Sequence, residues 1–384
     1  MIKNSKTSQI GKESLSLHRK YRGKLVVDGK ILVRNKKDLA LVYTPGVGAV
    51  SSLIASDIRQ VKNYTMKGNT VAVISDGSAV LGLGNIGPEA ALPVMEGKCL
   101  LFKKFANIDA IPIVLSTQDT EEIIKVVKAI SPGFGGINLE DISAPRCFEI
   151  ETRLKKELDI PVMHDDQHGT AIVILAGLIN ALKVAKKRMP EIKIAISGAG
   201  AAGTALAKIL VKEGAKNILV CDRNGIIYKG RPGNSSEKNI LAEITNFKKI
   251  KGTLTDAMYR ADVLIGVSAP GLVTAEMVRS MSGGAIVFAL ANPVPEIMPD
   301  IAKKNGAMIT ATGRSDFPNQ LNNALAFPGV FRGALDNGVK AITDEMKVRA
   351  ACAIAKLVSH PTVNNLIPDI FDKRLVKTIA RTIK

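Results

Sequence analysis

Short apolar runs that end in turn residues recur through the first half of the chain. TVAVIS (70–75) and AIPIVL (110–115) are apolar runs of strand length, and the first ends in Asp-Gly-Ser, a turn sequence. DTEEIIKVVKAI (119–130) instead spaces its apolar residues at helical intervals behind Asp119 or Thr120, either of which can cap a helix. The pattern predicts strands and helices that alternate.

The second half repeats this alternation more regularly. AIVILAGLINALKVAKK (171–187) predicts a buried helix with a basic carboxyl end, and residues 201–213 predict another. Apolar strands are predicted at 193–197, 217–222, 262–267, 285–290 and 307–312. Apolar strands that alternate with helices indicate an α/β protein with a doubly wound parallel sheet. We therefore expect an N-terminal α/β substrate domain over 1–162 and a Rossmann-type dinucleotide domain with C-terminal helices over 163–384.

Composition excludes several classes of protein. The 384 residues are 46% hydrophobic and 23% charged, which are ordinary globular values and argue against general disorder. Four scattered cysteines exclude a disulfide scaffold and predict a reducing, cytoplasmic environment. We find no uncharged apolar run of about 18 residues and no hydrophobic N-terminal stretch, so we expect neither a membrane span nor a secretory signal.

The net charge of +18 is concentrated near the N-terminus, where residues 1–70 hold 14 Lys and Arg against 4 Asp and Glu. Such a basic segment can attract nucleic acid or small anionic substrates. Aromatic residues make up only 4% of the chain, and Tyr21 is the only one in residues 1–42, so base-stacking platforms are scarce. We therefore expect a small-molecule substrate and no nucleic acid.

A glycine-rich turn follows the strand predicted at 193–197. It reads G-x-G-x-x-G, and Asp222 ends the next strand 19 residues after the last glycine. This arrangement binds a dinucleotide, with the pyrophosphate at the helix N-terminus and the acid on the ribose hydroxyls. Asp222 favours NAD, whereas the adjacent Arg223 leaves NADP as the alternative. The predicted cofactor-binding residues here are Gly198, Ala199, Gly200, Ala201, Ala202, Gly203 and Asp222.

Two pairs of acids occur at predicted strand ends, Glu140-Asp141 and Asp165-Asp166. Carboxylate oxygens are the ligands that Mg²⁺ and Mn²⁺ prefer, so together the pairs predict a divalent metal site. The second pair lies in HDDQH, whose two histidines also suggest zinc. This motif lacks the glutamate of zinc peptidases and is expected to precede the helix, so we expect His168 to make a structural hydrogen bond.

Seven motifs, in this order, resemble those of the malic enzymes, in particular the short prokaryotic type. They are YTPGVG from Tyr43, SDGSAVLGLGNIGPEAALPVMEGK (75–98), NLEDI, HDDQHGTA, the glycine turn, ANPVPE (291–296) and LNNALAFPG (321–329). The resemblance covers roughly residues 20–380. It implies oxidative decarboxylation of malate to pyruvate with reduction of NAD(P)⁺ and a divalent metal, in a homodimer. A malolactic enzyme, which converts malate to lactate and retains NADH, is the alternative.

The resemblance also implies roles for individual residues. Tyr43 resembles the general acid, Lys98 the general base, and Asp165 the acid that pairs with the lysine. The implied metal ligands are Glu140, Asp141 and Asp166. The implied substrate contacts are Asn292, which also contacts the nicotinamide, and Asn322.

One position departs from the family pattern. Many larger members carry an arginine that grips a malate carboxylate where this chain has Ala79. We therefore expect the substrate to be anchored partly by other groups, among them Ser78, Asn292, Asn322, or a residue of a second subunit.

Overall fold

Two separate sheets of parallel strands organise the chain in the computed structural model, which describes residues 9–80 and 82–384. The first sheet has the order β2-β1-β3-β4. Its strands are β1 (Thr70–Ser75), β2 (Asp109–Val114), β3 (Gly136–Leu139) and β4 (Val162–His164). β1 is completely buried, as its uninterrupted apolar run predicts. Because β4 pairs with β3, the first sheet continues to His164, two residues beyond the division expected at 162/163.

Among the described residues, seven α-helices precede or flank this first sheet. They are α1 (Gln9–Tyr21), α2 (Lys36–Val42), α3 (Val47–Ser56), α4 (Val61–Tyr64), α5 (Pro88–Ala106), α6 (Thr120–Ile130) and α7 (Arg146–Glu157). Asp119 caps α6, since its carboxylate accepts the Glu122 backbone N–H at 2.9 Å. This is one of the two caps that the sequence predicts. The buried face of α6 (Ile123, Ile124 and Val127) packs into the core beneath the first sheet.

The second sheet has six strands in the order β10-β9-β8-β5-β6-β7. They are β5 (Lys193–Ser197), β6 (Asn217–Asp222), β7 (Gly225–Ile226), β8 (Val263–Gly266), β9 (Ala285–Ala289) and β10 (Ala307–Thr312). All pairs are parallel except β6 with β7. The chain order reverses on the two sides of β5, which is the topological switch point where open α/β sheets bind ligands. The Rossmann-type α/β fold expected from the sequence is confirmed.

Nine helices accompany the second sheet. They are α8 (Asp165–Ala185), α9 (Ala201–Lys212), α10 (Ser236–Ile244), α11 (Leu254–Met258), α12 (Ala275–Arg279), α13 (Pro299–Lys304), α14 (Phe327–Asp336), α15 (Asp344–Lys356) and α16 (Leu375–Ala380). α8 is buried along most of its length and packs against α9 and α15.

The start of α8 corrects one expectation. HDDQH does not precede the helix, because α8 begins at Asp165 and contains both acids in its first turn. Negative side chains there are favourable to the helix dipole. Gly169 lies within α8, and a Cβ at this position would lie 1.9 Å from the Asp165 Oδ1 atom, so glycine leaves room for that carboxylate.

Two helical stretches are long and apolar enough to span a membrane by length and composition alone. Asp165–Ala185 is mostly buried, and a buried core helix passes the same test. Lys36–Ser56 consists of the separate helices α2 and α3, with Tyr43 between them. Within the described part of the chain no residue from 9 to 69 is buried, so this N-terminal segment lies on the surface.

Candidate active site

A buried cluster of charged side chains lies where the first sheet meets α8. Lys98, in the middle of α5, places its Nζ atom 2.7 Å from Glu140 Oε1 and 2.5 Å from Asp165 Oδ2. The lysine is 8% exposed and the two acids are 3% and 0% exposed. The Lys98 ammonium also lies over the Phe327 ring, 4.4 Å from its centroid, which is cation–π geometry.

Strand topology explains why these acids meet. Glu140 follows the last residue of β3, and Asp165 follows the last residue of β4. β3 and β4 are parallel neighbours, so their carboxyl ends lie at the same edge of the sheet. The Asn138 side-chain amide donates to Glu140 Oε2 at 2.9 Å and fixes the orientation of that carboxylate.

The electrostatics of the cluster show an excess of buried negative charge. Burial opposes the Lys98 charge, but the carboxylates of Asp165, Glu140 and Asp166 outweigh burial and raise the pKa of Lys98 above its ordinary value. Burial raises the pKa of Asp165 to about 6 and also raises the pKa of Glu140. One ammonium therefore faces more carboxylates than it neutralises, which favours the binding of a further cation.

Three carboxylates at this edge have the arrangement of a metal site. Oxygen atoms of Glu140, Asp141 and Asp166 lie within 4.8 Å of one another. The Asp141 backbone N–H donates to Asp166 Oδ2 at 2.8 Å, and Asp141 adopts a left-handed conformation with φ of 53°. An all-oxygen, anionic donor set without a thiolate fits Mg²⁺ or Mn²⁺. The structure thus brings together the three residues that the sequence predicts as metal ligands.

The two histidines of HDDQH differ in their relation to these carboxylates, because the His164 Nδ1 atom lies 3.8 Å from Asp166 Oδ2 whereas His168 pairs with Glu151. His168 Nε2 is 2.8 Å from Glu151 Oε2, and the other oxygen of Glu151 accepts the His164 backbone N–H at 2.9 Å. Burial lowers the pKa of His168 to about 4, so the ring is neutral at pH 7. The histidine therefore makes a structural hydrogen bond, as expected.

The glycine turn lies at the carboxyl end of β5, at the switch point of the second sheet. Gly198 has a φ of 115°, and its N–H donates to the Cys221 carbonyl oxygen at 2.8 Å. A Cβ at Gly203 would lie 1.9 Å from the Gly198 carbonyl oxygen, so only glycine lets α9 pack this closely. By contrast, a Cβ at Gly200 would meet nothing within 4 Å, so the space beside it is open to a ligand. Ala199, Ala201 and Ala202 complete the turn into α9.

Asp222 lies next to this turn but is not a free acceptor. Arg231 donates to both carboxylate oxygens, at 2.9 and 2.6 Å, and Lys238 Nζ is 2.6 Å from Oδ2. Burial opposes the charge on Asp222, but its hydrogen bonds with Arg231 and Lys238 outweigh burial and hold its pKa well below the ordinary value. Contact of Asp222 with ribose hydroxyls stays a prediction.

Asn292 and Asn322 lie on two loops of the second sheet. Asn292 is exposed, and a Cβ at Gly82 would lie 2.2 Å from its carbonyl oxygen, so a loop of the first sheet reaches it. The Asn322 side chain accepts the Ala324 backbone N–H at 2.9 Å. A Cβ at Gly169 would lie 3.2 Å from Cβ of the next residue, Asn323, which sets this loop against the start of α8.

Glu296 is a functional candidate that the sequence reasoning missed. Its side chain is fully buried and accepts the backbone N–H groups of Ser268 at 2.8 Å and Ala291 at 3.0 Å. It thereby fixes the residue that precedes Asn292. A lone acid in the otherwise uncharged ANPVPE was the available signal.

Ser78 is already engaged in the loop after β1. Its hydroxyl donates to Asp76 Oδ1 at 2.5 Å and accepts the Ser143 backbone N–H at 2.9 Å. Arg146, which no motif indicated, donates to Asp76 Oδ2 at 3.1 Å and lies against the same loop. Ala79 is exposed and its N–H donates to the Asp141 carbonyl oxygen at 2.9 Å. A substrate contact by Ser78 stays a prediction.

Tyr43 lies outside the buried cluster. It follows the last residue of α2, and its side chain is 68% exposed. Among the contacts of the described residues, only its backbone forms hydrogen bonds, with Leu39 at 2.9 Å and Val47 at 2.8 Å. The structure does not bring its hydroxyl to Lys98, so the role of Tyr43 stays a prediction.

Comparison with known proteins identifies the two halves of the chain. Residues 23–155 match the family model "Malic enzyme, N-terminal domain" and residues 167–383 match "Malic enzyme, NAD binding domain". The bifunctional malic/malolactic enzyme of Bacillus subtilis is 56% identical, over 97% of this chain and 92% of its own. The NAD-dependent malic enzyme of Geobacillus stearothermophilus is 54% identical, over 94% of this chain and 76% of its own.

Solved structures agree with these sequence relationships. The NAD-dependent malic enzyme of Thermotoga maritima superposes with a TM-score of 0.93 at 47% identity, covering 97% of this chain and 98% of its own.

The NADP-dependent malic enzyme of Escherichia coli is 45% identical over 98% of this chain, which spans 52% of that protein. The chain therefore belongs to the malic enzyme family, an oxidoreductase family with NAD-dependent and NADP-dependent members.

Proposed function

We propose that the chain oxidatively decarboxylates (S)-malate to pyruvate and CO₂ and reduces NAD⁺ or NADP⁺. The observation that carries this proposal is the buried Lys98–Asp165–Glu140 cluster, which adjoins a set of metal-type carboxylates in a chain that also has a dinucleotide turn. The reaction needs a base for the C2 hydroxyl, an acceptor for the C2 hydride, and stabilisation of the charge left when CO₂ departs. Each requirement has a candidate group here.

We propose Glu140, Asp141 and Asp166 as ligands of Mg²⁺ or Mn²⁺. When bound, the metal polarises the hydroxyl and carboxylate oxygens of malate, and the nicotinamide accepts the hydride. The glycine turn from Gly198 to Gly203 is the proposed pyrophosphate site, with Asp222 at its adenosine end.

We propose Lys98 as the general base, with Asp165 as the residue that orients its Nζ atom. A base must be neutral, whereas the surrounding carboxylates hold a proton on Lys98. Glu140 belongs to both groups, because it contacts Lys98 and is a proposed metal ligand. A metal held by Glu140 would neutralise part of the negative field that raises the pKa of Lys98, and this would favour the neutral amine.

The remaining roles are proposed from the family motifs. Tyr43 returns a proton to C3 after CO₂ is lost, and the amides of Asn292 and Asn322 bind the substrate carboxylates, with Ser78 as a further polar contact. The hydrogen bonds of Ser78 and Asn322 support their own loops, and the loop that contains Ser78 reaches the carboxylates through the Ala79 N–H, which donates to the Asp141 carbonyl oxygen.

Malolactic activity is the second candidate function. The relative at 56% identity is named a bifunctional malic/malolactic enzyme, and both reactions begin with the same oxidation of malate. We propose an assay with malate and Mn²⁺ that follows absorbance at 340 nm and identifies the product. Pyruvate with stoichiometric reduced cofactor supports the first function, whereas lactate without it refutes the first function and supports the second.

The role of Lys98 has its own test. Lys98→Ala should lower kcat by about 10²–10⁴-fold, the usual range for a general base, while NADH still binds. Lys103→Ala, in the same helix but 53% exposed, is the matched control and should turn over normally. Near-normal turnover by the Lys98 variant would remove this residue from the mechanism.

We also propose that the chain acts as a homodimer. Most of the large apolar side chains that are exposed in the described structure lie between residues 10 and 66, and a patch of this kind marks a protein–protein interface. Leu32→Lys should halve the mass found by sedimentation, whereas Phe247→Lys, at a similarly exposed site elsewhere, should not. Equal masses for the two variants would refute an interface here. Tyr43 belongs to this surface, so its environment depends on what covers it.

Two broader assignments remain proposals. We propose that the chain is cytoplasmic, in agreement with four cysteines that are all free thiols. We also propose a substrate domain followed by a dinucleotide domain, with the division after β4 at His164 instead of at residue 162, which limited proteolysis would test.

A further inference from the structure

The residues around Asp222 form a cationic cluster at the adenosine end of the proposed cofactor site. Asp222 ends β6, and the preceding residue, Cys221, accepts the N–H of Gly198, so the acid lies directly beside the glycine turn. This position faces the ribose that carries adenine in a dinucleotide bound at such a turn. An acid here that accepts ribose hydroxyls selects NAD, whereas cations here accept the 2′-phosphate of NADP.

Both oxygens of Asp222 already hold donors. Oδ1 accepts from Arg231 at 2.9 Å and from the Asn224 backbone N–H at 2.9 Å. Oδ2 accepts from Arg231 at 2.6 Å and lies 2.6 Å from Lys238 Nζ. The Asp222 and Arg231 side chains are each 8% exposed, so ribose hydroxyls would have to displace a buried bidentate ion pair.

Arg231 is held from its other side as well. Its Nε donates to the Asn234 side-chain oxygen at 2.8 Å, and its Nη1 also donates to the Gly225 carbonyl oxygen at 3.2 Å. Asp222 therefore works as an anchor that positions a guanidinium. Lys238, in the first turn of α10, is 27% exposed, and Asp222 is its only acid partner among the described residues, so its ammonium is available to a second anion.

The net charge around Asp222 also favours an anionic ligand. One carboxylate, Asp222, pairs with the cations of Arg231 and Lys238, and the next residue along the chain, Arg223, is exposed. The local net charge is positive although the acid occupies the position typical of NAD sites. A phosphate dianion would find charge-assisted donors here instead of a repelling carboxylate.

We propose that this cluster is a 2′-phosphate site, with Lys238 and Arg223 as the groups that contact the phosphate and Asp222 as the residue that positions Arg231. The chain then binds the 2′-phosphorylated cofactor more tightly than the unphosphorylated one. The inference rests on the proposed cofactor site at the glycine turn.

Fluorescence titration of the full chain with NADPH and with NADH, without malate, tests the proposal. The two ligands differ only in the 2′-phosphate. We expect NADPH to bind at least about tenfold more tightly at low salt, with a preference that shrinks as NaCl is added, because the distinguishing contacts are ionic. Lys238→Gln should abolish most of the preference by weakening NADPH binding alone.

A matched variant controls for loss of charge. Lys229→Gln removes one cation from the same region, where Lys229 is 59% exposed and pairs with Glu243, and it should leave the preference unchanged. Equal or tighter binding of NADH by the unmodified chain overturns the proposal, as does an equal effect of the two lysine variants. If neither nucleotide binds, both the proposed cofactor site at the glycine turn and the 2′-phosphate site are refuted.

Discussion

Removal of the Lys98 ammonium is the perturbation whose consequence the buried cluster defines most sharply. Each contact of Lys98 with Glu140 and Asp165, at about 2.6 Å and an effective dielectric constant of about 20, corresponds to roughly 6 kcal/mol of Coulomb energy. The cost of burying the ammonium opposes this attraction with several kcal/mol. Breaking such a buried pair from one side costs a net of about 3–5 kcal/mol, because the acids are left buried without their partner.

We therefore expect Lys98→Met to lower the free energy of unfolding by about 3–5 kcal/mol in metal-free buffer at pH 7.5. Lys103→Met, on the same helix, removes an ion pair with Asp109 in which the lysine is 53% exposed, and it should cost less than about 1 kcal/mol. Urea denaturation followed by circular dichroism measures both values.

Added Mn²⁺ gives the second half of this test. Bound at 100 times its Kd, a ligand stabilises the folded chain by about 2.7 kcal/mol, and each tenfold gain in affinity adds about 1.4 kcal/mol. Loss of Lys98 frees Glu140, so Mn²⁺ should stabilise Lys98→Met by more than it stabilises the unmodified chain or Lys103→Met. Equal stabilisation of all three proteins, or similar losses from the two lysine variants without metal, would refute the electrostatic reasoning.

Three further predictions concern separate parts of the structure. Asp166→Asn should weaken Mn²⁺ binding at least about tenfold in calorimetry while NADH binding is retained, because one of three anionic ligands is lost. Gly200→Ala should leave the melting temperature unchanged but block NADH binding, because a Cβ at Gly200 meets nothing within 4 Å in the folded chain. Gly203→Ala should lower the melting temperature, because a Cβ at Gly203 would clash with the backbone of Gly198. Because the pKa of Asp222 is lowered, its ion pairs stabilise the fold above about pH 4, and this stabilisation is lost as the pH falls further. Asp222→Asn should therefore show a shallower acid denaturation limb.

The alternation of strands and helices was predictable because most strands are short apolar runs, and several, such as β1 and β9, are buried along their whole length. The predicted strands at 193–197, 217–222 and 307–312 match β5, β6 and β10 to the residue, and those at 262–267 and 285–290 are within one residue at their ends. The two-residue strand β7 was not predicted, since a segment of this length carries no periodicity. The early start of α8 was missed because the acids of HDDQH look like turn residues until their position at the helix N-terminus is known.

The metal-type carboxylates could also be predicted, for a topological reason. Glu140 and Asp141 directly follow β3, and Asp166 comes two residues after the end of β4, and parallel strands bring such residues to one edge whenever they are neighbours. The sequence did not reveal that β3 and β4 are neighbours. In a parallel sheet of only four strands, however, two given strands are often adjacent, so residues that follow them often lie side by side. Lys98 was different, because a helix residue has no such constraint and only the family motif indicated it.

Tyr43 shows the limit of motif reasoning within one chain. Its motif predicts a hydroxyl beside the substrate, yet the residue lies on an exposed segment in which none of the residues 9–69 is buried. A motif records which side chain takes part in a reaction, whereas its position depends on every surface that packs against it. The N-terminal segment therefore combines two separate properties: it exposes apolar side chains, and it carries cations that would attract small anions.

Asp222 shows the opposite case, in which a residue has the expected position but different partners. Spacing from the glycine turn correctly predicts that an acid ends β6, and the usual reading of that acid is a preference for NAD. The cations that occupy its oxygens, Arg231 and Lys238, come from the segment that follows the β6–β7 hairpin, at positions that no dinucleotide motif specifies. Charge at a cofactor site is therefore a property of the whole set of neighbours, and an acid that is fully paired selects its ligand through the cations that it holds in place.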